Sequence, residues 1–286
     1  MKKWTALLAA SVLTFGLAAC NSTATPTSET AKENTSEMTL KQVYEKSLAQ
    51  SESIESLSAV IDMNQLIKVP SQGVEMNTTS EMTMDMVVEP LSVYQKGTTV
   101  MTVPGEESAM PAQEIEIESY MTEDGFFMYD SMSAQWMKLP TDMYAQMMAM
   151  SENQADPAQQ LKDLEQFMDD FTFEQTDSEY VLKLEASGDQ FNELVQKQLS
   201  ETMPEGMVEE EELLKDLKIE KVYYEIFIDK KTFNTTGFNM VMDMTMPVEG
   251  EEMTLSQDLK STFSDYNNVE PIKVPQEILD SAQVME

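Results

Sequence analysis

Apolar and polar residues alternate along this chain with two different periods. Leu40, Val43, Tyr44 and Leu48 recur every three to four residues, as on one face of an α-helix. Thr39 and Gln42 stand in capping-box positions before them, so the fold is expected to begin near Met38, with a helix ending within residues 49–56. From Leu57 the period shortens to two. Ala59, Ile61, Met63 and Gln65 alternate with Val60, Asp62 and Asn64. Similar runs cover residues 75–88, 91–103 and 114–120, and Asp124-Gly125 reads as a hairpin turn. With Gln135–Pro140 these segments predict an antiparallel meander, because their connections are too short for crossover helices.

The middle of the chain returns to helical spacing. Asp142 is expected to cap a helix over Met143–Met150. Asp156-Pro157 starts another, with Leu161, Leu164, Phe167, Met168 and Phe171 on one face. A strand pair follows (171–175 and 180–185), then a helix capped by Asp189 with Phe191, Leu194, Val195 and Leu199 inward. The acidic run Glu209–Glu212 lacks calcium-loop spacing and reads as a solvated face. Residues 221–229, 237–246 and 252–265 alternate again, and 275–279 read as a helical turn. The order is helix, meander, helices, meander, an α+β pattern with no Pro/Gly linker dividing it.

Residues 1–20 stand apart. Lys2 and Lys3 precede an apolar stretch too short to span a bilayer, which ends in Leu17-Ala18-Ala19-Cys20. This resembles the bacterial lipobox. The resemblance implies a signal peptide over 1–19 and a lipidated Cys20, the chain's sole cysteine, as the anchor on the outer face of the cell membrane. Each buried acyl CH₂ contributes roughly 0.8 kcal/mol. Residues 21–36 are rich in Ser and Thr and nearly free of apolar side chains, so 20–37 is expected to be a disordered tether and 38–286 a single domain.

Composition then narrows the chemistry. The 286 residues carry 52 Asp+Glu against 18 basic residues, all Lys, for a net charge of −34, which disfavours nucleic acid as a partner. Without His there is no Ser-His or Cys-His nucleophile, and His-ligated or multi-Cys metal sites are out. Carboxylate pairs abound in so acidic a chain and carry little information. No phosphate loop or nucleophile elbow is present, and the expectation is a protein that is not an enzyme and holds no cofactor.

The 26 Met are the unusual feature. Met82, Met84 and Met86 fall on one side of a strand, and so do Phe238, Met240, Met242, Met244 and Met246. The residues between them (Thr83 and Asp85; Asn239, Asp243 and Thr245) are mostly polar. A Met-rich packed core explains such rows. A deformable cavity for an apolar or amphiphilic ligand explains them too, because the unbranched thioether adapts to varied partners. The packed core corresponds to a structural or protein-interaction lipoprotein of the envelope whose partner the sequence does not name. A third reading is Cu(I), although successive sulfurs of one row lie about 7 Å apart. The segments 77–86 and 234–244 also echo one another with one inserted residue.

Phe126-Phe127-Met128-Tyr129, Gln135-Trp136-Met137-Lys138-Leu139-Pro140 and Tyr224–Thr232 (an aromatic-x-Ile-Asp-x-x-Thr strand end) resemble signatures of the LolA/LppX-like lipoproteins. Within that group the chain is most similar to a Gram-positive set without an established function. The resemblance covers most of residues 38–280. It implies a strongly curved antiparallel sheet, an open half-barrel with helices covering its concave face, and a ligand space that holds acyl chains in better-understood relatives.

Overall fold

The structure, a computed structural model, describes residues 22–104, 110–151, 159–186, 217–248 and 251–285. The chain enters through β1 (Thr25–Pro26), α1 (Glu29–Glu33) and α2 (Leu40–Ser51). The first meander is β2 (Ser56–Val69), β3 (Val74–Val87), β4 (Ser92–Val103), β5 (Met110–Thr122), β6 (Gly125–Asp130) and β7 (Gln135–Lys138). Helices α3 (Thr141–Ser151) and α4 (Gln159–Leu164) come next, then β8 (Thr172–Gln175) and β9 (Glu179–Ala186). The second meander is β10 (Lys218–Asp229), β11 (Thr235–Val248) and β12 (Glu251–Ser264), and the chain closes with α5 (Gln276–Ser281) and β13 (Gln283–Val284).

Among the described residues all thirteen strands belong to one sheet, in the order β1-β8-β9-β10-β11-β12-β2-β3-β4-β5-β6-β7-β13. The two meanders join through the long β12–β2 pair, which runs from Thr254↔Lys68 to Ser264↔Ser58. The sheet is open, with β1 and β13 at its edges. It is mixed, not wholly antiparallel as expected. Both edge strands pair in parallel, β1 with β8 and β13 with β7, because each is a two-residue segment that returns from elsewhere in the chain.

Local chemistry explains most boundaries. Thr39 Oγ1 accepts from Gln42 N and the Gln42 side chain accepts from Thr39 N, so the expected capping box starts α2. The Asp229 carboxylate accepts from the backbone of Lys231 (2.9 Å) and Thr232 (2.7 Å) and from Thr232 Oγ1. The Asp-x-x-Thr signature is thus the turn that closes the β10–β11 hairpin. The hairpin at Asp124-Gly125 forms one residue earlier than read. Glu123-Asp124 are its centre, and Gly125, at φ 129°, opens β6 opposite Thr122. Helix α3 likewise begins at Thr141, which puts Asp142 in its first turn instead of at its cap. The single helix read through to Phe171 ends as α4 at Leu164 and continues as a 3-10 segment over Glu165–Asp170. Asp156, Pro157, the helix expected from Asp189 and the Glu209–Glu212 run lie outside the described residues, as does Cys20.

The segment expected to be a tether is folded from Ser22 onward. Thr25 and Pro26 pair with Glu174 and Gln175. Ala24 and Ala31 are buried. The fully buried Gln175 amide donates to the Ala24 carbonyl (2.7 Å) and accepts from Ser36 N (2.9 Å). Composition misled because a strap needs little apolar surface of its own when backbone and amide bonds hold it to an existing sheet edge.

Among the described residues three apolar clusters hold the body. The largest packs Leu40, Val43 and Tyr44 of α2, with Leu161, Leu164 and Phe167, against Leu182, Leu184, Val222, Tyr224, Ile226 and Met244 of β9–β11. A second gathers Ile54, Leu57 and Ala59 with Ile61, Met84, Met86 and Phe263. The third joins Phe127 to Val274 and Ile278, the latter from α5, with Tyr120 and Trp136 alongside.

Candidate functional site: the methionine face of the sheet

Residues paired directly across neighbouring strands share a face of the sheet. The pairing Tyr224↔Met240↔Leu259↔Met63↔Ser80↔Thr99 therefore marks one row on one face. The adjacent row runs Ile226↔Phe238↔Ser261↔Ile61↔Met82↔Gly97. Both methionine rows, Met82–Met86 on β3 and Phe238–Met246 on β11, thus lie on the same face. They are separated by β12 and β2, a span of three strand spacings or about 14 Å. The bridging side chains include Ile61 and Met63 of β2 and Leu255 and Leu259 of β12. The alternation of β2 was legible; the β12 residues were missed, and only the strand order identifies them as partners.

The two rows do not form one packed unit. Met240, Met242, Met244 and Met246 sit against the cluster under α2. Met84 and Met86 sit in the Leu57–Ala59 cluster. Between them Met63, Met82 and Ile67 are half-buried and belong to neither cluster. At the β9–β11 end, Leu40, Val43 and Tyr44 of α2 and Leu161 and Leu164 of α4 belong to the same packed cluster as the strands. Helix α5 packs elsewhere, on the opposite face beside Phe127 and Tyr120. On α3, Met147 and Met148 are half-buried and Met143 is exposed.

Charge separates the faces more sharply than hydropathy does. On β2 (57–69), β3 (74–86) and β4 (93–101) the charged residues are Asp62, Lys68, Glu75, Glu81, Asp85 and Lys96. On β5 (113–121), β11 (238–246) and β12 (253–263) they are Glu114, Glu116, Glu118, Asp243, Asp258 and Lys260. The pairing register places every one of these on the face away from the methionines. There they find partners. Glu118 accepts from Tyr94 Oη at 2.9 Å. Toward the β8 edge, Lys183 bonds Glu174 at 2.7 Å and lies 3.7 Å from Glu225. The hydrogen bond to Glu174 outweighs desolvation and holds the Lys183 ammonium above its usual range.

The middle of the methionine face carries neutral polar groups; charge reaches this face at its margins, at Glu251, which opens β12 opposite Val248, and at Asp130, which ends β6 opposite Gln135. Gln257, Gln65 and Thr78 stand in register between Met242 and Met101. Gln257 Nε2 lies 3.7 Å from the Met63 sulfur. Ser80 and Thr99 share a 2.8 Å hydroxyl bond. At the packed end, burial pushes the Tyr224 hydroxyl up to about 12. Gly97 lies opposite Met82, and a Cβ there would approach the Glu81 carbonyl oxygen to 2.1 Å, so β3 and β4 meet here with bare backbone.

Other sites are less developed. A recess of about 190 Å³ lies between Asn64, Asn77, Asp243 and Asp258. It is smaller than the roughly 300 Å³ usual for ligand pockets. Among the described residues no group of three or more acidic or Cys side chains could hold a metal ion. Nor is any described helix long and apolar enough to cross a membrane. Trp136 packs against Tyr120 and Tyr129 on the face away from the methionines.

An open mixed sheet with one charged face and one methionine-rich face whose middle is free of charge thus defines the class of protein. Residues 39–283 match the family of unknown function DUF6612, and the chain belongs to that family. No curated protein matches it. Among solved structures it is similar to one described as lipid-protein interactions in lipovitellin, at 8% identity and a TM-score of 0.34. That likeness covers 78% of this chain and 26% of the other, so the chain spans about a quarter of its length. A beta-barrel-like DUF1849 protein from Brucella abortus is 11% identical over 74% of this chain and 100% of its own, with a TM-score of 0.18. A DUF1329 family protein from Desulfovibrio piger is 10% identical over 81% and 95%, with a TM-score of 0.22. These likenesses are distant.

Proposed function

We propose that this chain is an extracytoplasmic lipoprotein, anchored through Cys20, whose methionine-rich sheet face binds an apolar or amphiphilic ligand without catalysing a reaction. The observation that carries the reading is the segregation of charge. Twelve charged side chains on six strands occupy one face and, apart from Glu251 at the start of β12, leave the other to Met, Leu, Ile, Phe and neutral polar groups. A packed interior and a ligand-binding one both exclude charge. The half-buried Met63, Met82 and Ile67, which join neither cluster, favour the ligand. A LolA/LppX-like half-barrel, curved around that face and covered by helices, is the architecture this reading calls for. Native mass spectrometry of the body without residues 1–20, purified without detergent, tests it. Bound lipid, or uptake of a fluorescent acyl-chain probe, is the expected result; repeated absence of both refutes it.

One observation supports a second reading. Met84, Met86 and the β11 methionines are already packed in clusters. If the same packing extends across Met63 and Met82, the protein is a structural or interaction lipoprotein with a filled core. A probe-free, lipid-free protein with full cooperative stability is what that reading predicts.

A further inference from the structure

Resting on the ligand-binding reading, we infer that the polar end of the ligand is uncharged: the sheet face fits a neutral hydroxyl- or amide-bearing amphiphile, such as an acylglycerol, and disfavours ionised fatty acids, anionic phospholipids and alkylammonium compounds. The polar groups in the middle of the face are of one kind; Glu251, six residues from Gln257 along β12, lies roughly 20 Å from them. Gln257, Gln65 and Thr78 form a cross-strand line, flanked by Leu255, Ile67 and Met76 on one side and by Leu259 and Met63 on the other. Amides and hydroxyls both donate and accept, so this line complements alcohol, ester or amide groups. It supplies neither a cation for a carboxylate or phosphate nor an anion for an ammonium.

The alternatives are disfavoured by electrostatics. An ionised head drawn onto this face loses hydration and finds no opposite charge, and an unpaired buried charge costs far more than a neutral polar group. Anions meet a second obstacle in the chain's net charge of −34. A cation would be drawn to the molecule but held by the carboxylates of the other face, where Asp62, Glu81 and Asp258 lie. The apolar rows on either side of the amide line supply contact for acyl chains, so one molecule can place its chains on the methionines and its neutral head on the amides.

The test is displacement of Nile red, itself neutral, from the detergent-free body by monooleoylglycerol, oleate, oleoyl-lysophosphatidylglycerol and dodecyltrimethylammonium, all below their aggregation concentrations. Monooleoylglycerol is expected to displace at least tenfold more effectively than the three ionised compounds, and oleate to gain potency as it is protonated at lower pH. Equal or stronger displacement by any ionised compound overturns this inference and leaves the binding reading standing. Failure of Nile red and of all four compounds to bind sinks the binding reading itself. The double variant Gln65→Leu/Gln257→Leu, checked for folding by circular dichroism, should keep Nile red and lose the tenfold preference. If that variant does not fold, Thr78→Val takes its place and should narrow the preference. A preference unchanged in a folded variant overturns the role of the amide line.

Discussion

Gln175 offers a direct test of how the N-terminal strap is held. Its side chain is fully buried, donates to the Ala24 carbonyl at 2.7 Å and accepts from Ser36 N at 2.9 Å. Gln175→Ala removes these two bonds and the longer one from Nε2 to the Ser36 carbonyl (3.5 Å). Each contributes about 1 kcal/mol net, and a buried group left without a partner costs about 1–3 kcal/mol, so strap closure should weaken by about 2–4 kcal/mol. At about 1.36 kcal/mol per factor of ten, the strap opens at least about 30-fold more often. The Thr27 bond to the Gln175 backbone carbonyl (2.9 Å) and the Lys230 bond to the Asn34 carbonyl (3.1 Å) remain, so the sheet itself should not melt. Hydrogen exchange followed by mass spectrometry should show residues 22–37 losing protection while α2 and β10 keep theirs. Unchanged exchange in the strap, or equal loss across α2 and β10, would refute the account.

Other expectations follow from the same contacts. Met82→Glu places a charge in the half-buried centre of the methionine face and should cut acyl-probe uptake at least tenfold, whereas Glu81→Gln on the opposite face should leave uptake unchanged; equal effects would show that the faces are not functionally distinct. Burial is the main force holding the hydroxyls of Tyr44, Tyr94 and Tyr266 well above the ordinary phenol range, and it pushes Tyr224 to about 12. The unfolded chain ionises near pH 10 first, so this stabilisation is full below about pH 10 and is lost as pH rises through the folded values; a melting temperature flat from pH 9 to 12 would contradict it. Cu(I) should leave the melting curve unmoved, because the β3 and β11 rows are separated by two strands; a metal-dependent rise would revive the copper reading.

What the sequence disclosed follows physical range. Period-two alternation and turn chemistry are local, so β2, β3, β10 and β11, the Thr39–Gln42 cap and the Asp229 turn could be read directly. The methionine rows could be read for the same reason. Which strands lie between them could not: β12 follows β11 in the chain, but its pairing with β2, nearly two hundred residues earlier, is a long-range choice without a local signal. That choice turns two separate rows into one methionine-rich face with a charge-free middle. The strap failed for the opposite reason. Ser- and Thr-rich composition usually means solvation, and nothing within residues 22–36 announces that Gln175 will bind them.

The strap also changes what an anchor at Cys20 would do. A disordered tether would let the acidic body stand off from a membrane. Here Leu40 N already donates to the Ser22 carbonyl, and Thr23 bridges to Thr39. Ser22 is the second residue after Cys20, a reach of at most about 7 Å. That is shorter than the screening length of roughly 8–10 Å at physiological salt, so an anionic surface would act on the body instead of being screened from it. Lipidation would therefore hold the start of α2 beside the bilayer, against repulsion by the body's own charge. A dye on Lys41→Cys in the lipidated protein should transfer energy efficiently to headgroup acceptors, and a dye on Val284→Cys, at the opposite sheet edge, provides the comparison. Inserting a long Gly/Ser linker between Cys20 and Ser22 should lower transfer from Lys41→Cys and make it sensitive to salt, as the freed body moves away. Transfer indifferent to the linker would mean that the strap does not set the body's distance from the membrane.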